Sequence, residues 1–132
     1  MTADEIDTLL AKPLDAILAT QRRSGGSQLT PMWFYWDGTA FYMSTTRDRN
    51  KYANIKRNAE VSLIVNDQEA HKYLSAYGRA ELVEDDKDRI MKLTLPIIRR
   101  YAPEGRAEQM AASMLEQDRV VIVLRPDKLL TN

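Results

Sequence analysis

The sequence predicts a mainly β (α+β) domain. Six strands in mostly antiparallel order form a small barrel-like sheet with peripheral helices. Three observations carry this. Short apolar runs of strand length recur along the chain. Two of the joining segments, Ser24-Gly25-Gly26-Ser27 and Asp37-Gly38, are turn sequences that fold a strand back on itself. Beyond the N-terminal segment, helical spacing enters between the strands at only two points.

Thr2 stands three residues before Glu5 at capping-box spacing, and Ile6, Leu9 and Leu10 follow at helical spacing, so a short helix is expected up to Lys12-Pro13. Leu14–Gln21 is a compact apolar run read as the first strand. Gln28–Trp36 is aromatic-rich and read as the second, with Pro31 marking an edge or a bulge. Thr39–Thr46 returns after Asp37-Gly38, so the first three strands should form an antiparallel meander. A basic helix is expected over roughly Arg47–Asn58. Ala59–Asn66 is a strand with Val61, Leu63 and Val65 on one face. His71–Glu84 alternates as a long strand, with Gly78 at a bend or bulge. Asp85–Tyr101 reads as a helix that Pro96 should kink or split. A further helical piece spans about Pro103 to Glu116. Arg119–Leu124 is the last strong strand, and Asp127–Leu130 can extend it.

The 132 residues suffice for one domain, 1–132, with one modest core. Nineteen basic and nineteen acidic residues cancel, so no global field draws in nucleic acid or acidic membranes. Cysteine is absent, which removes disulfides, thiolate metal sites and cysteine nucleophiles. No apolar run approaches the ~20 residues of a membrane span. The acidic N-terminus lacks the features of a signal peptide, so a cytoplasmic protein is expected. One core of this size supplies little net stability, which makes burial between subunits plausible. Trp33, Phe34, Tyr35 and Trp36 alternate across a strand and need cover on both faces, one of them from a partner or a flat ligand.

The chemistry concentrates in Ser44–Asn58. This stretch holds the hydroxyls of Ser44, Thr45 and Thr46, then Arg47, Arg49, Lys51, Lys56 and Arg57 against the single acid Asp48. Hydroxyls at a strand end, basic side chains and a helix start suit a phosphate cradle, because helix N–H groups and cationic side chains both favour an anion there. The same residues also suit a solvated basic helix. The single histidine, His71, has no nucleophile-elbow serine to serve and no companion ligands for a metal, so a structural or rim role is expected. Glu84, Asp85, Asp86 and Asp88 read as the solvated start of a helix. Asp67 and Glu69 read as solvated loop residues. No Gly-rich phosphate loop is present. A phosphate cradle beside an aromatic strand, without covalent or metal-binding groups, fits a phosphorylated planar redox cofactor that carries the reaction itself.

The order of L-D-A-I-L-A-T, P-M-W-F-Y-W-D-G, Y-M-S-T-T-R-D-R-N-K-Y-A-N-I-K-R-N, V-S-L-I-V-N-D and L-S-A-Y-G-R-A-E-L-V-E-D resembles the pyridoxamine 5′-phosphate oxidase-like split β-barrel superfamily. The resemblance spans roughly residues 5–130. It is strongest to the branch that uses the deazaflavin coenzyme F420, whose P-x-W-F-x-x-D-G and N-[LI]-[KR]-R segments correspond to Pro31, Trp33, Phe34, Asp37, Gly38 and to Asn54–Arg57. The resemblance implies a six-stranded split β-barrel, a homodimer, and a cofactor in a groove between the subunits. It implies that Ser44, Thr45, Thr46, Arg49 and Lys51, supported by Lys56, hold the phosphate. The backbone around Met32, Trp33 and Phe34 would face the ring system. Tyr77, Arg79 or the C-terminal strand of the partner would close the site. Two departures stand out. The C-terminal extension with Arg and His that binds pyridoxal phosphate is lacking, so pyridoxamine phosphate is not the expected substrate. Ala59-Glu60 replaces the usual proline after the N-[LI]-[KR]-R segment.

The implied activity is hydride transfer from reduced F420 to an unsaturated small-molecule acceptor. An FMN-dependent oxidoreductase of the same fold is the nearest alternative, since both cofactors carry a ribityl phosphate. The anionic tail of F420 would need a further basic groove, for which Arg47, Arg57, Lys72 and Arg79 are candidates. A non-catalytic carrier of F420, flavin or haem is a third reading. Charge neutrality disfavours a nucleic-acid-binding barrel.

Overall fold

A computed structural model describes all residues, 1–132. Eight strands and four helices follow one another along the chain. Every strand pairing is antiparallel, and the sheet curls into a half-barrel.

Helix α1 (Ala3–Ala11) starts as its sequence dictates. The Thr2 hydroxyl accepts from the Glu5 N–H at 3.1 Å, and the Glu5 carboxylate accepts from the Thr2 N–H at 3.2 Å. Strands β1 (Ala16–Gln21) and β2 (Ser27–Met32) form the hairpin expected at the glycine turn. Gly25 and Gly26 take φ of +94° and +73°, a region that glycine enters at little cost.

The expected second strand, Gln28–Trp36, is in fact two. It breaks at Trp33-Phe34 and resumes as β3 (Tyr35–Trp36), which pairs with β4 (Phe41–Thr46). The break has a physical cause. Phe34 turns fully into the core, and its N–H donates to the Tyr101 hydroxyl at 3.2 Å instead of to a neighbouring strand. The expected continuous meander is therefore cut, and β2 and β3 lie at opposite ends of the strand order β2-β1-β5-β6-β7-β4-β3. Pro31 does sit on an edge strand.

Helix α2 (Asn50–Arg57) leads into β5 (Glu60–Asp67) and the long β6 (Lys72–Val83). The first part of β6 pairs with β5, and Ala80–Val83 pairs with β7 (Arg119–Leu124). Gly78 lies at that handover; β6 runs through it without an extra residue in its pairing with β5, and what marks the position is close packing. A Cβ there would meet Leu124 Cδ1 at 3.0 Å and the Arg125 carbonyl oxygen at 3.2 Å. Backbone cannot yield like a flexible side-chain tip, so Gly78→Ala is expected to lower stability by about 1–3 kcal/mol in urea unfolding. The final strand, β8 (Lys128–Thr131), adds to β6 and, with the split strand, raises the count from six to eight.

The main core gathers Leu18, Phe34, Phe41, Met43, Leu63, Leu74, Ile122 and Leu124 inside the barrel. Strand β7 is buried on both faces. Val121 and Val123 pack with Ile90 of helix α3 (Lys87–Tyr101), which covers the outer side. Asp86 caps α3 by accepting from Arg89 N–H at 3.1 Å. The helix runs unbroken through Pro96, so the expected split does not occur; burial of Ile90, Thr94, Ile97 and Ile98 anchors both of its halves. Helix α4 (Ala107–Leu115) packs against α3 through Ala107 and Ala111. No helix is long and apolar enough to cross a membrane.

Candidate functional site

A cleft of about 740 Å³ opens where four elements converge. Strand β2 contributes Thr30, Pro31 and Met32, and the end of β4 contributes Ser44, Thr45 and Thr46. The turn into α2 brings Asp48, Arg49 and Lys51, and the approach to β7 brings Gln117, Asp118 and Arg119. Register explains the meeting. Strands β4 and β7 pair with Thr46 opposite Arg119. The Arg119 guanidinium thereby reaches Ser44, with Nη1 3.5 Å from Oγ, and is steadied by Gln117 Oε1 at 2.9 Å.

Three cations face this cleft without a carboxylate partner. Arg49, Lys51 and Arg119 form no ion pair. Lys51 is only 7% exposed. Burial, then the charges of Arg49 and Arg119, holds its ammonium below the ordinary lysine value. Burial and Arg49 likewise pull Arg119 down. A partly desolvated cation repelled by two others is stabilised by an anion, and an oxyanion with several acceptor atoms can serve all three. Arg49 stands at the N-cap of α2 with no side-chain cap bond, so the first N–H groups of the helix have no side-chain partner either. The donor set suits a phosphate.

Of the residues expected to hold the phosphate, Ser44, Thr45, Thr46, Arg49 and Lys51 come together here, and Met32 joins them from β2. Lys56 does not. Its ammonium lies 3.0 Å from Glu84 Oε2, outside the cleft. Trp33 and Phe34 also stay outside it. Trp33 is 41% exposed and stacks on Tyr101 with ring centroids 4.7 Å apart. Phe34 is core, its N–H taken by Tyr101 and its carbonyl by Arg100, so its backbone donor is not free for a ring. Arg119 and Gln117 were not anticipated. Arg119 opens the last strong strand, and only strand pairing reveals that it faces Ser44.

Two acids expected to be solvated are engaged instead. Glu84 is largely buried and accepts from Tyr52 Oη at 2.6 Å, Lys56 Nζ at 3.0 Å and Arg47 Nε at 3.3 Å. Arg47 also binds Asp85 at 2.9 Å and Asp118. This latch ties the turn before α2 to the ends of β6 and α4. Asp67, buried at the end of β5, pairs with Lys12 of the segment after α1. In both cases a cation distant in sequence arrives through the fold. The bonds from Tyr52 and Lys56 outweigh burial and lower the Glu84 pKa. A depressed carboxyl pKa contributes stability above the unfolded value of about 4.3 and loses it as pH falls through the folded value. Glu84→Gln is therefore expected to cost about 1–2 kcal/mol at neutral pH, with the gap to wild type closing below about pH 4. Thermal unfolding across pH measures this.

A second depression, of about 460 Å³, lies on the other side of α2 along the same face of β2. Arg22, Arg23 and Arg57 line it with Gln28 and Asn54. Among the candidates for an anionic tail, Arg57 sits there. Arg47 is held in the latch, Lys72 lies 3.8 Å from Glu5, and Arg79 borders a different depression with Glu60 and Asp127.

The comparisons with known proteins agree with this architecture. The family described as "Pyridoxamine 5'-phosphate oxidase" matches residues 2–132. No curated protein sequence matches the chain. Among solved structures, the protein Rv2991 from Mycobacterium tuberculosis superposes with a TM-score of 0.86 at 23% identity, over 99% of this chain and 84% of that one. A protein named F420 Reductase superposes with a TM-score of 0.73 at 34% identity, over 94% of both chains. General Stress Protein 26 from Bacillus anthracis shares the fold, with a TM-score of 0.70 at 18% identity over 98% and 92%. A β-barrel with this strand order, a cationic cleft at the β4–α2 junction and a family match over nearly its whole length make this chain a member of the pyridoxamine 5′-phosphate oxidase family, with that family's oxidoreductase fold.

Proposed function

We propose that this protein is an F420-dependent oxidoreductase that reduces an unsaturated organic acceptor. One observation carries the reading: Arg49, Lys51 and Arg119 converge on one cleft beside Ser44 and Thr45, and none of the three forms an ion pair with a carboxylate of the protein. A cofactor phosphate fits that donor set. The basic depression at Arg22, Arg23 and Arg57 supports F420 over FMN, because an oligoglutamate tail carries charges that FMN lacks. The 34% identity to a protein named F420 Reductase points the same way.

When bound, the reduced deazaflavin supplies a hydride, and the protein's own residues position it. Lys51 and the two arginines fix the phosphate end. Met32 and Pro31 are the apolar side chains that line the cleft, so a flat ring needs a further wall. A homodimer supplies one. On the outer face of the sheet, Pro31, Ile17 and Ile64 lie side by side across β2, β1 and β5, Ser75 of β6 interrupts the row, and Leu130 of β8 follows it, with Leu29 and Tyr77 exposed nearby. Pairing two such faces buries apolar area and excludes water from the groove.

Titration of purified protein with F420, followed by fluorescence, tests the cofactor. Quenching at low micromolar F420 or below is expected. Micromolar FMN binding without F420 binding would move the assignment to the flavin. Turnover against enones, quinones and tetrapyrroles then tests catalysis; F420 binding with no turnover on any of them would make the protein a carrier.

A further inference from the structure

The cationic cleft retains one carboxylate that no cation neutralises directly. Two acids line it. Asp118 is bound by Arg47 in the latch. Asp48 forms no ion pair, although it stands beside Arg49 and within the field of Arg119. An unpaired carboxylate in an anion site weakens anion binding unless it serves another part of the ligand.

Its hydrogen bonding indicates which part. The Asp48 carboxylate accepts from the Thr46 hydroxyl. That bond uses the hydroxyl's only proton, so Thr46 Oγ1 can offer the cleft nothing but lone pairs. Ser44, two residues away on the same face of β4, is arranged in the opposite sense. It accepts from Arg119, which leaves its own proton free to donate. The cleft therefore has two poles. Ser44, Arg49, Lys51 and Arg119 donate, and Thr46 and Asp48 accept. A phosphate dianion has only acceptors; it satisfies the first pole and is repelled by the second. A ligand that carries hydroxyl donors next to its phosphate satisfies both.

We propose that Asp48, acting with Thr46, is a specificity-determining residue that reads the hydroxyl groups of a phosphorylated sugar-alcohol chain, so that the cleft selects a polyol phosphate over bare phosphate. This rests on the cofactor reading only in that a ribityl phosphate is such a group. The polarity of the cleft belongs to the protein.

Ring-free ligands test it. Inorganic phosphate and ribitol 5-phosphate are titrated into wild type, Asp48→Asn, Thr46→Val and Thr46→Ser by calorimetry. Wild type is expected to prefer ribitol 5-phosphate by about tenfold or more, the scale of a hydrogen bond to a charged acceptor. Asp48→Asn should bind inorganic phosphate more tightly, because a repelling charge is gone, while losing most of that preference. Thr46→Val should lose preference too, and Thr46→Ser should keep it. An unchanged ratio in Asp48→Asn, an equal gain for both ligands, or no phosphate binding by wild type overturns the proposal. Preference for ribitol 5-phosphate in a protein that ignores F420 would refute the cofactor reading and leave this one standing. F420 binding that depends on Lys51, with no polyol preference, would do the reverse.

Discussion

Alanine at both Arg49 and Lys51 is expected to weaken F420 binding by at least about a hundredfold. In the proposed complex each residue would supply a charge-assisted hydrogen bond worth about 1.5–3 kcal/mol, and each 1.4 kcal/mol is a factor of about ten. FMN affinity should fall in parallel, since the two ligands share the phosphate. Two controls sharpen the test. Lys56→Ala should barely change affinity, because its ammonium is committed to Glu84 rather than to the cleft. Loss of Lys51 should not lower the melting temperature of the ligand-free protein. Its charge is held there against burial and two neighbouring cations, so its removal relieves repulsion. Unchanged affinity of the double variant for both cofactors would show that this cleft does not hold the phosphate.

Phe34→Ala is expected to cost about 3–5 kcal/mol, enough to unfold a marginal domain at room temperature. The ring is fully buried, with its centroid 5.8 Å from that of Phe41 and the Arg100 guanidinium 4.4 Å above it. Its removal leaves a cavity and frees Arg100. That arginine is half-buried, has no carboxylate partner, and donates to the carbonyls of Leu10, Lys12 and Phe34. Helix α1 has no basic residue in its last turn, so Arg100 of α3 provides the cation its C-terminus lacks. One substitution thus loosens α1, the β2–β3 break and the end of α3 together. Chemical denaturation measures the loss; a cost under 1 kcal/mol would contradict this packing.

The legible part of the fold was local. The Thr2–Glu5 capping box, the glycine hairpin and the alternation of Val61, Leu63 and Val65 each follow from residues close in sequence. The candidate site is local in the same way: Ser44, Thr45, Thr46, Arg49 and Lys51 form one short word and line one cleft. What sequence hid was long-range. Arg119 enters through the pairing of β4 with β7, 75 residues from Ser44. Lys56 leaves because Glu84 competes for it, and Glu84 reads as surface until Tyr52 and Arg47 close over it. Periodicity alone cannot separate Gln28–Trp36 into two strands, because the break depends on Tyr101 capturing the Phe34 N–H from a distant helix.

In the proposed complex, the cationic corner formed by Arg49, Lys51 and Arg119 grips the phosphoryl end of the cofactor. A crystal structure of the protein soaked with F420 tests it most directly. Phosphate oxygens are expected within hydrogen-bond distance of Lys51 Nζ and of the Arg49 and Arg119 guanidiniums, with the Ser44 hydroxyl donating to one of them. A phosphate bound elsewhere, with these three cations left to solvent, would contradict it.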